Sequence, residues 1–522
     1  MSDPTSSQER PVYVLFLFGL LVTLLSYRYF AKSSLPPGPP KLPLIGSLLS
    51  FPSSFEWETF SLWGKRYKSD VIHAQVFGTS IIILNSVKAC SDLMEKRSSI
   101  YSSRPNFTLI TQYMGFAWLL PFLPYGSPWK DRRRLFMRYF QSKTADFNET
   151  QKAHQVQYAR QLLLRLLEMP EEYMKHTSHF IGGTLRTMAY GTKTKETNDP
   201  YIIQAEQVMK ALSDTAIPIS GILDSMPWML PIVSSVLSIP PFNKTPAQWK
   251  ELATQFRDEP FLEAKRQAVS GETVDGFVPR SLEDIDPSRD MNEQETLIKD
   301  IAGVVFIGGS STTTAVLHTF FLAMVCFPDA QAKAQEELDR VIGRGRLPDF
   351  NDEPFLPYIS ALIKEVQRWN PPGPMGIPHF LEEDDQYQGY VIPGQSLIIT
   401  NIWAILNDET IYPNPRLFNP DRFLKDGKLH CSILDPVNVG FGFGRRICPG
   451  VSIALSAIWI SVASILANFT ISKARDENGQ IIEPSMKYHS GVTFQPLPFK
   501  CAIKPRHDKV GSLIESYVSI FA

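Results

Sequence analysis

Net charge is almost absent from this chain: 52 Lys and Arg against 53 Asp and Glu leave −1 over 522 residues. Without a field of one sign, nucleic acid is excluded as a bulk electrostatic partner. Cysteine is scarce as well, five residues at irregular spacing, which excludes a disulfide framework. No Cys-x-x-Cys pair or Cys/His cluster is present to hold zinc. Cys90, Cys326, Cys431 and Cys501 match no motif and read as reduced structural thiols of a cytosol-facing chain. Gln/Asn tracts, long charge blocks and internal repeats are missing. No Gly-x-Gly-x-x-Gly opens a βαβ unit, so no flavin or nicotinamide domain is fused to this one.

What is abundant is apolar residue, 43% of the chain, and proline, 41 residues gathered at turns. Residues 1–10 are polar and read as a luminal N-terminus. Residues 11–30 are apolar and free of charge until Arg28, just long enough to span a bilayer. Arg28 and Lys32 follow the run, while Arg10 before it is offset by Asp3 and Glu9, so the bulk of the chain is placed in the cytosol. A cleaved signal peptide would need a basic start and an Ala-x-Ala-like site, and neither is there. Residues 31–40 include Leu35-Pro36-Pro37-Gly38-Pro39-Pro40, a stiff polyproline hinge. The body is residues 41–522. Its sequons at Asn106, Asn148, Asn243 and Asn468 should stay unmodified on the cytosolic side.

Along the body, Val71–Leu84 reads as two strands around Gly78-Thr79. Pro105–Pro128 is aromatic, Met-containing and proline-broken, an ordered loop fit to wall a binding pocket. Trp129–Phe140 reads as a helix in which Trp129 and Arg133 share one face and Lys130, Arg134 and Arg138 another. Residues 150–290 are mostly helical, with an apolar, proline-rich stretch at Thr215–Pro241 suited to a membrane surface or a substrate entry. Residues 270–292 read as a polar surface loop. Asn292, with Glu295 three residues on, reads as the capping box of a long helix to about Phe327. Its centre, Ala302–Thr314, combines Gly303, Gly308 and Gly309 with five hydroxyl residues. These weaken a helix and fit either a functional widening or a close-packing site. Glu365 and Arg368 sit i, i+3 on the next helix. Tyr390–Thr400 alternates like one strand, Val451–Phe469 is an apolar helix, and Ile481 to Ile503 reads as short terminal strands. The fold class is mainly α with small β-sheets.

The centre of gravity is Phe441-Gly442-Phe443-Gly444-Arg445-Arg446-Ile447-Cys448-Pro449-Gly450. Glycines allow a tight turn close to a flat ligand. Arginines suit carboxylates. A cysteine facing backbone amides is held as thiolate, the form that ligates metal. Cys448 therefore reads as the axial ligand of a haem iron.

These pieces together resemble the cytochrome P450 superfamily of haem-thiolate monooxygenases, over nearly the whole chain. The haem-loop pattern Phe-x-x-Gly-x-Arg-x-Cys-x-Gly is met by Phe441, Gly444, Arg446, Cys448 and Gly450. The Glu-x-x-Arg element is met by Glu365 and Arg368, and its partner arginine by Arg422. Arg368-Trp369-Asn370-Pro371 and Gly376-Ile377-Pro378-His379 look like membrane-bound enzymes of mushroom secondary metabolism. The resemblance implies the P450 fold and haem b as cofactor. It further implies Arg133 and Arg446 on the haem propionates with help from Trp129, and a buried Glu365–Arg368–Arg422 network. It aligns Thr312 with the oxygen-activating threonine and Ser311 with the position where the family carries an acid. Serine titrates nowhere near neutrality, so protons would pass through water or come from the substrate. Candidate pocket residues are Phe107, Met114, Phe116, Val305, Met375, Ile377, Val492 and Phe494. They are nearly all apolar, which implies hydroxylation of a hydrophobic small molecule, a terpenoid in the first instance. Electrons would come from a separate NADPH-cytochrome P450 reductase, and cytochrome b5 is a second candidate donor. The Lys130/Arg134/Arg138 stripe would form the docking face. The location implied is the endoplasmic reticulum membrane, single-pass. Two alternatives are a haem-thiolate enzyme of desaturation, rearrangement or peroxide-driven oxidation, and a haem-binding protein without turnover.

Overall fold

The structure is a computed structural model that describes residues 35–141, 145–195, 198–214, 223, 242–272 and 274–519. The anchor at 11–30, the first residues of the hinge and the apolar stretch 215–241 apart from Leu223 lie outside the described residues.

Helices make the body. The long ones are α1 (Glu56–Tyr67), α2 (Ser127–Phe140), α3 (Ala145–Glu168), α4 (Tyr173–Tyr190), α5 (Pro200–Asp214) and α6 (Pro246–Ser270). They continue with α7 (Phe277–Glu283), α8 (Met291–Cys326), α9 (Pro328–Val341), α10 (Pro357–Trp369), α11 (Val451–Asn468) and α12 (Val510–Val518). One small sheet has β1 (Val71–Val76), β2 (Thr79–Leu84), β3 (His379–Phe380) and β4 (Leu397–Thr400) in the order β1-β2-β4-β3. Ile82 pairs with His73 across the hairpin and with Ile398 in the parallel ladder. Phe77 and Gly78 both have positive φ, 47° and 88°, the two-residue turn that suits strand twist.

The hinge joins the body directly. Pro36 and Pro39 are buried, the His73 N–H donates to the Pro37 carbonyl at 2.9 Å, and a Cβ on Gly38 would sit 2.0 Å from the His73 carbonyl. Its described part thus covers the start of the outer edge of β1, and Gly46-Ser47 covers the end, where Ser47 N–H donates to the Gln75 carbonyl at 2.6 Å.

Helix α8 runs through the middle of the core. It and α11 are long and apolar enough to cross a membrane, yet both are mostly buried among other elements, as core helices are. The cap of α8 is Asp290, whose carboxylate accepts from the N–H groups of Asn292 and Glu293, not Asn292 as its spacing to Glu295 suggested. Glu295 pairs instead with Lys265 on α6 at 2.5 Å. The glycine-rich centre stays helical throughout. A Cβ on Gly303 or Gly309 would meet Trp118 or Leu185 at 2.8 Å, whereas one on Gly308 would meet nothing within 4 Å. Two of these glycines therefore allow close packing and the third borders open space.

Three further expectations are corrected. The 270–292 stretch contains α7, because Phe277, Val278 and Pro279 are buried and Phe277 packs edge-on against Tyr139 with ring centroids 5.0 Å apart. Tyr390–Thr400 divides into a strand at Tyr390–Ile392 and β4 in another sheet, broken at Pro393-Gly394. The chain continues past its terminal strands into α12, which buries Val510 and Ile514. The observed class is mainly helical with small sheets, as expected.

Candidate active site

The cysteine loop is closed by its own backbone. The Cys448 N–H donates to the Phe441 carbonyl at 2.8 Å, and Ile447 N–H to Gly444 at 3.2 Å. Gly444 has φ +60° and leaves room for the Met94 carbonyl, which a Cβ would approach to 2.0 Å. Phe443 before it is buried, while Phe441 and Gly450 stand in the cavity wall with Cys448. Burial pushes the Cys448 thiol up, against the Gly450 N–H and the Arg133 charge, both of which favour thiolate.

Around it stand cations without carboxylates. Arg446 on the loop donates to the Ser102 carbonyl at 2.7 Å and the Leu123 carbonyl at 2.8 Å, and lies 4.4 Å over the Trp129 ring. Its Nη1 is buried with no partner. Burial, then Arg133, pulls its pKa down to about 10. Arg133 on α2 donates to the Ile447 carbonyl at 2.6 Å, and burial lowers its pKa too. Two further members went unnoticed in the sequence. Arg104 donates to the carbonyls of Pro121, Ile377 and Pro378 at 2.5–3.0 Å, and its pKa is lowered by burial and by Arg446. His379 donates through Nδ1 to the Tyr101 carbonyl at 2.8 Å and is held neutral by burial, Arg104 and Arg446. All four line one cavity with Cys448. Converging cations that depress one another, one with an orphaned donor, fit an anionic group bearing carboxylates beside a thiolate. The only local signals in the sequence are Arg104 before Pro105 and His379 after Pro378.

The Glu365 cluster is assembled as expected. Arg368 donates to Glu365 at 2.7 and 2.9 Å and to the carbonyls of Leu406 and Pro415. Arg422 reaches the same carboxylate at 3.1 Å, and the Asn419 N–H at 2.8 Å. Glu365 and Arg368 are fully buried.

The cavity has a volume of about 480 Å³ and a mainly apolar wall. Phe107, Val305, Ile377, Val492 and Thr312 are on that wall. Met114, Phe116, Met375 and Phe494 are not: they are buried in the surrounding core, Phe116 against Trp118 and Phe494 between Tyr488 and Trp57. Phe51, Phe60, Ile110, Leu120, Leu185 and Leu212 line it instead. Ser311 is also off the wall. Its hydroxyl meets that of Thr493 at 3.3 Å, and Thr493 lines the cavity. Thr312 donates to the Gly308 carbonyl at 3.2 Å. Among the described residues no group of three His, Cys, Asp or Glu side chains could hold a bare metal ion.

A helical body crossed by one long helix, with a cysteine and unpaired arginines across an apolar cavity, defines a haem-thiolate oxygenase. The chain belongs to the cytochrome P450 family, whose sequence model matches residues 36–503. It is 42% identical over 492 residues to cytochrome P450 monooxygenase ple1 of Rhodocybe pseudopiperita, covering 93% of this chain and 92% of that one. Cytochrome P450 monooxygenase 98 of Postia placenta is 40% identical, covering 96% of each chain. Tryptamine 4-monooxygenase of Psilocybe cyanescens is 37% identical, covering 92% of this chain and 95% of its own. The chain is a P450 monooxygenase of the basidiomycete type, and the family's cofactor is haem with an axial cysteine thiolate. Members generally use a redox partner and hydrophobic substrates.

Proposed function

We propose that Cys448 is the axial ligand and that the enzyme hydroxylates a hydrophobic small molecule, a terpenoid skeleton of secondary metabolism. The observation that supports this is the apolar cavity bounded by Cys448 on one loop and Gly308 and Thr312 on α8. The haem, when bound, supplies dioxygen activation, with thiolate electron density favouring O–O cleavage. The chain's residues do the rest. The Gly450 N–H and Arg133 hold charge on the Cys448 sulfur. Arg446, Arg133 and Arg104, with Trp129 stacked beside Arg446, would hold the cofactor's carboxylates. Glu365, Arg368 and Arg422 brace the neighbouring backbone through Leu406, Pro413, Pro415 and Leu417 carbonyls. Thr312 Oγ1 keeps its proton on the Gly308 carbonyl and can turn it to the cavity. Apolar walls exclude water from the reacting carbon.

Electrons would come from a membrane NADPH reductase, with cytochrome b5 as a second donor, at the endoplasmic reticulum with the body cytosolic. The exposed stripe on α2 supports docking, although Arg134 is paired with Asp131 and Arg138 with Asp284. The test is a reduced carbon monoxide difference spectrum of the full chain. The thiolate-shifted band is expected in the wild type and absent in Cys448→Ala; a shifted band in that variant refutes the ligand. Reductase-supported turnover of candidate terpenoids under labelled dioxygen should put label in the product.

Ser311 favours a second reading, in which the enzyme desaturates, rearranges or uses peroxide. Its hydroxyl is spent on Thr493 and no acid stands at that turn of α8. Turnover without NADPH or dioxygen label would select it.

A further inference from the structure

The cavity wall contains one carboxylate among its described residues, Glu56. It is 8% exposed. Burial raises its pKa, its own backbone N–H is the single opposing contact, and no cation contributes. The arginines of the same wall are engaged with carbonyls around the cysteine loop. The stretch 215–241 contains no Lys, Arg or His to supply a partner. A desolvated carboxylate left without a counter-ion is costly, so an apolar wall retains one only with a use for it. Helix-dipole complementarity does not supply that use. Glu58 stands in the same first turn of α1, exposed, and serves the dipole without burial.

A second polar group stands unsatisfied on the same wall, and it calls for an acceptor. Gln367 on α10 also lines the cavity, is 7% exposed, and its Nε2 has no partner. Buried donors are nearly always satisfied, and an orphan beside a cavity marks a place for a ligand. Neighbours of the two groups are joined through the wall. The Phe55 N–H is bound to Ser490 Oγ at 2.8 Å, Trp57 packs on Phe494 at 5.0 Å, and the Phe494 N–H donates to the Pro372 carbonyl at 2.9 Å. These contacts tie the start of α1 to the Val492-Thr493 wall and to the Pro371–Gly373 segment that follows α10.

We infer that Glu56 recognises a protonated amine on an otherwise apolar substrate, with Gln367 Nε2 donating to an acceptor atom elsewhere on that substrate. This rests on the reading of the cavity as a monooxygenase site and adds one positive charge to the substrate class. Glu56 is a specificity-determining residue: it fixes which end of the substrate stays away from the reacting carbon.

The test is ligand binding to the detergent-solubilised full-chain holoenzyme, read by the change in haem absorbance and by equilibrium dialysis. The probes are a phenylbutyl trimethylammonium ion and its neutral tert-butyl isostere. Neither can ligate iron. Wild type should prefer the cation by about tenfold or more, the range of a charge-assisted contact. Glu56→Gln should abolish the preference and Glu56→Asp should restore part of it. Equal affinity of wild type for the two probes overturns the proposal, as does an undiminished preference in Glu56→Gln. Comparing the probes on wild type decides the matter even if the variant loads haem poorly. Loss of the thiolate-shifted carbon monoxide band in wild type would instead overturn the underlying function. A normal band without cation preference removes only the amine.

Discussion

Glu365→Ala removes the acceptor shared by Arg368, Arg422 and the Asn419 N–H. The side chains of Glu365 and Arg368 are 0% exposed and that of Arg422 is 7% exposed, so solvent cannot replace the lost charge. Breaking one partner of such a cluster leaves buried cations uncompensated and costs roughly 3–5 kcal/mol. That moves the folding equilibrium by about a hundred- to several-thousandfold. The internal control is Glu483→Ala, whose partner Lys473 lies 2.7 Å away but whose own side chain is 71% exposed. Exposed pairs are worth about 0–1 kcal/mol. The assay is urea unfolding of the full-chain holoenzyme, followed by haem absorbance and tryptophan fluorescence. Midpoints are compared, because proteins with a tightly bound cofactor unfold through more than two states. Glu365→Ala should lower the midpoint far more than Glu483→Ala, and equal shifts would refute the reasoning. Arg368→Lys should fall between wild type and Glu365→Ala. Lysine keeps the charge but cannot reach Glu365, Leu406 and Pro415 at once, as the planar fork does.

Gly444→Ala should abolish haem loading, since its Cβ would meet the Met94 carbonyl at 2.0 Å at φ +60°. Gly442→Ala, at φ +82° with nothing within 4 Å, should lose only about 1 kcal/mol, and the carbon monoxide band of the two variants separates these outcomes. Burial holds His318 at about 4, below its ordinary 6.5, so between those values the unfolded chain binds a proton that the folded chain refuses. Stability is therefore full above pH 6.5 and falls by about 3 kcal/mol as pH drops toward 4. His318→Leu should flatten that slope in urea midpoints measured across the range, and an unchanged slope would refute the assignment. Lys130→Glu with Arg134→Glu should raise the reductase concentration needed for half-maximal turnover while leaving the haem spectrum intact. An unchanged requirement would remove α2 as the docking face.

The parts of the site that were legible in the sequence are those whose chemistry is local. Phe441 to Gly450 carries its turn glycines, its arginine and its cysteine within one loop, so its shape follows from residue type. Glu365 and Arg368 are one helical turn apart, and their pairing follows from spacing. Arg104, His379 and Glu56 each come from a separate segment and gain meaning only when the fold brings their walls together. The pocket divides on the same ground. Pro105–Pro128 is aromatic throughout, and composition cannot say that Phe107 faces the cavity while Met114 and Phe116 face the core. The cap of α8 shows a local rule outcompeted: Asn292 and Glu295 match a capping box, yet Asp290 offers side-chain acceptor oxygens two residues earlier and Lys265 claims Glu295.

The three arginines near Cys448 make one more argument about how this protein comes together. Arg446 depresses the pKa of Arg104 and His379, and Arg133 depresses that of Arg446; Arg104, Arg133 and Arg446 donate only to neutral acceptors. Their mutual repulsion opposes closure of the loop against β3, the Ser102–Arg104 segment and α2. Carboxylates from the cofactor would reverse its sign, and Arg446 Nη1 has a donor free for one. On that assignment haem binding and the final packing of these elements would be one thermodynamic event, in which the group that binds the folded state also stabilises it. The cysteine loop would carry that coupling directly, because Cys448, the proposed ligand, and Arg446, a proposed carboxylate partner, are two positions apart in the chain.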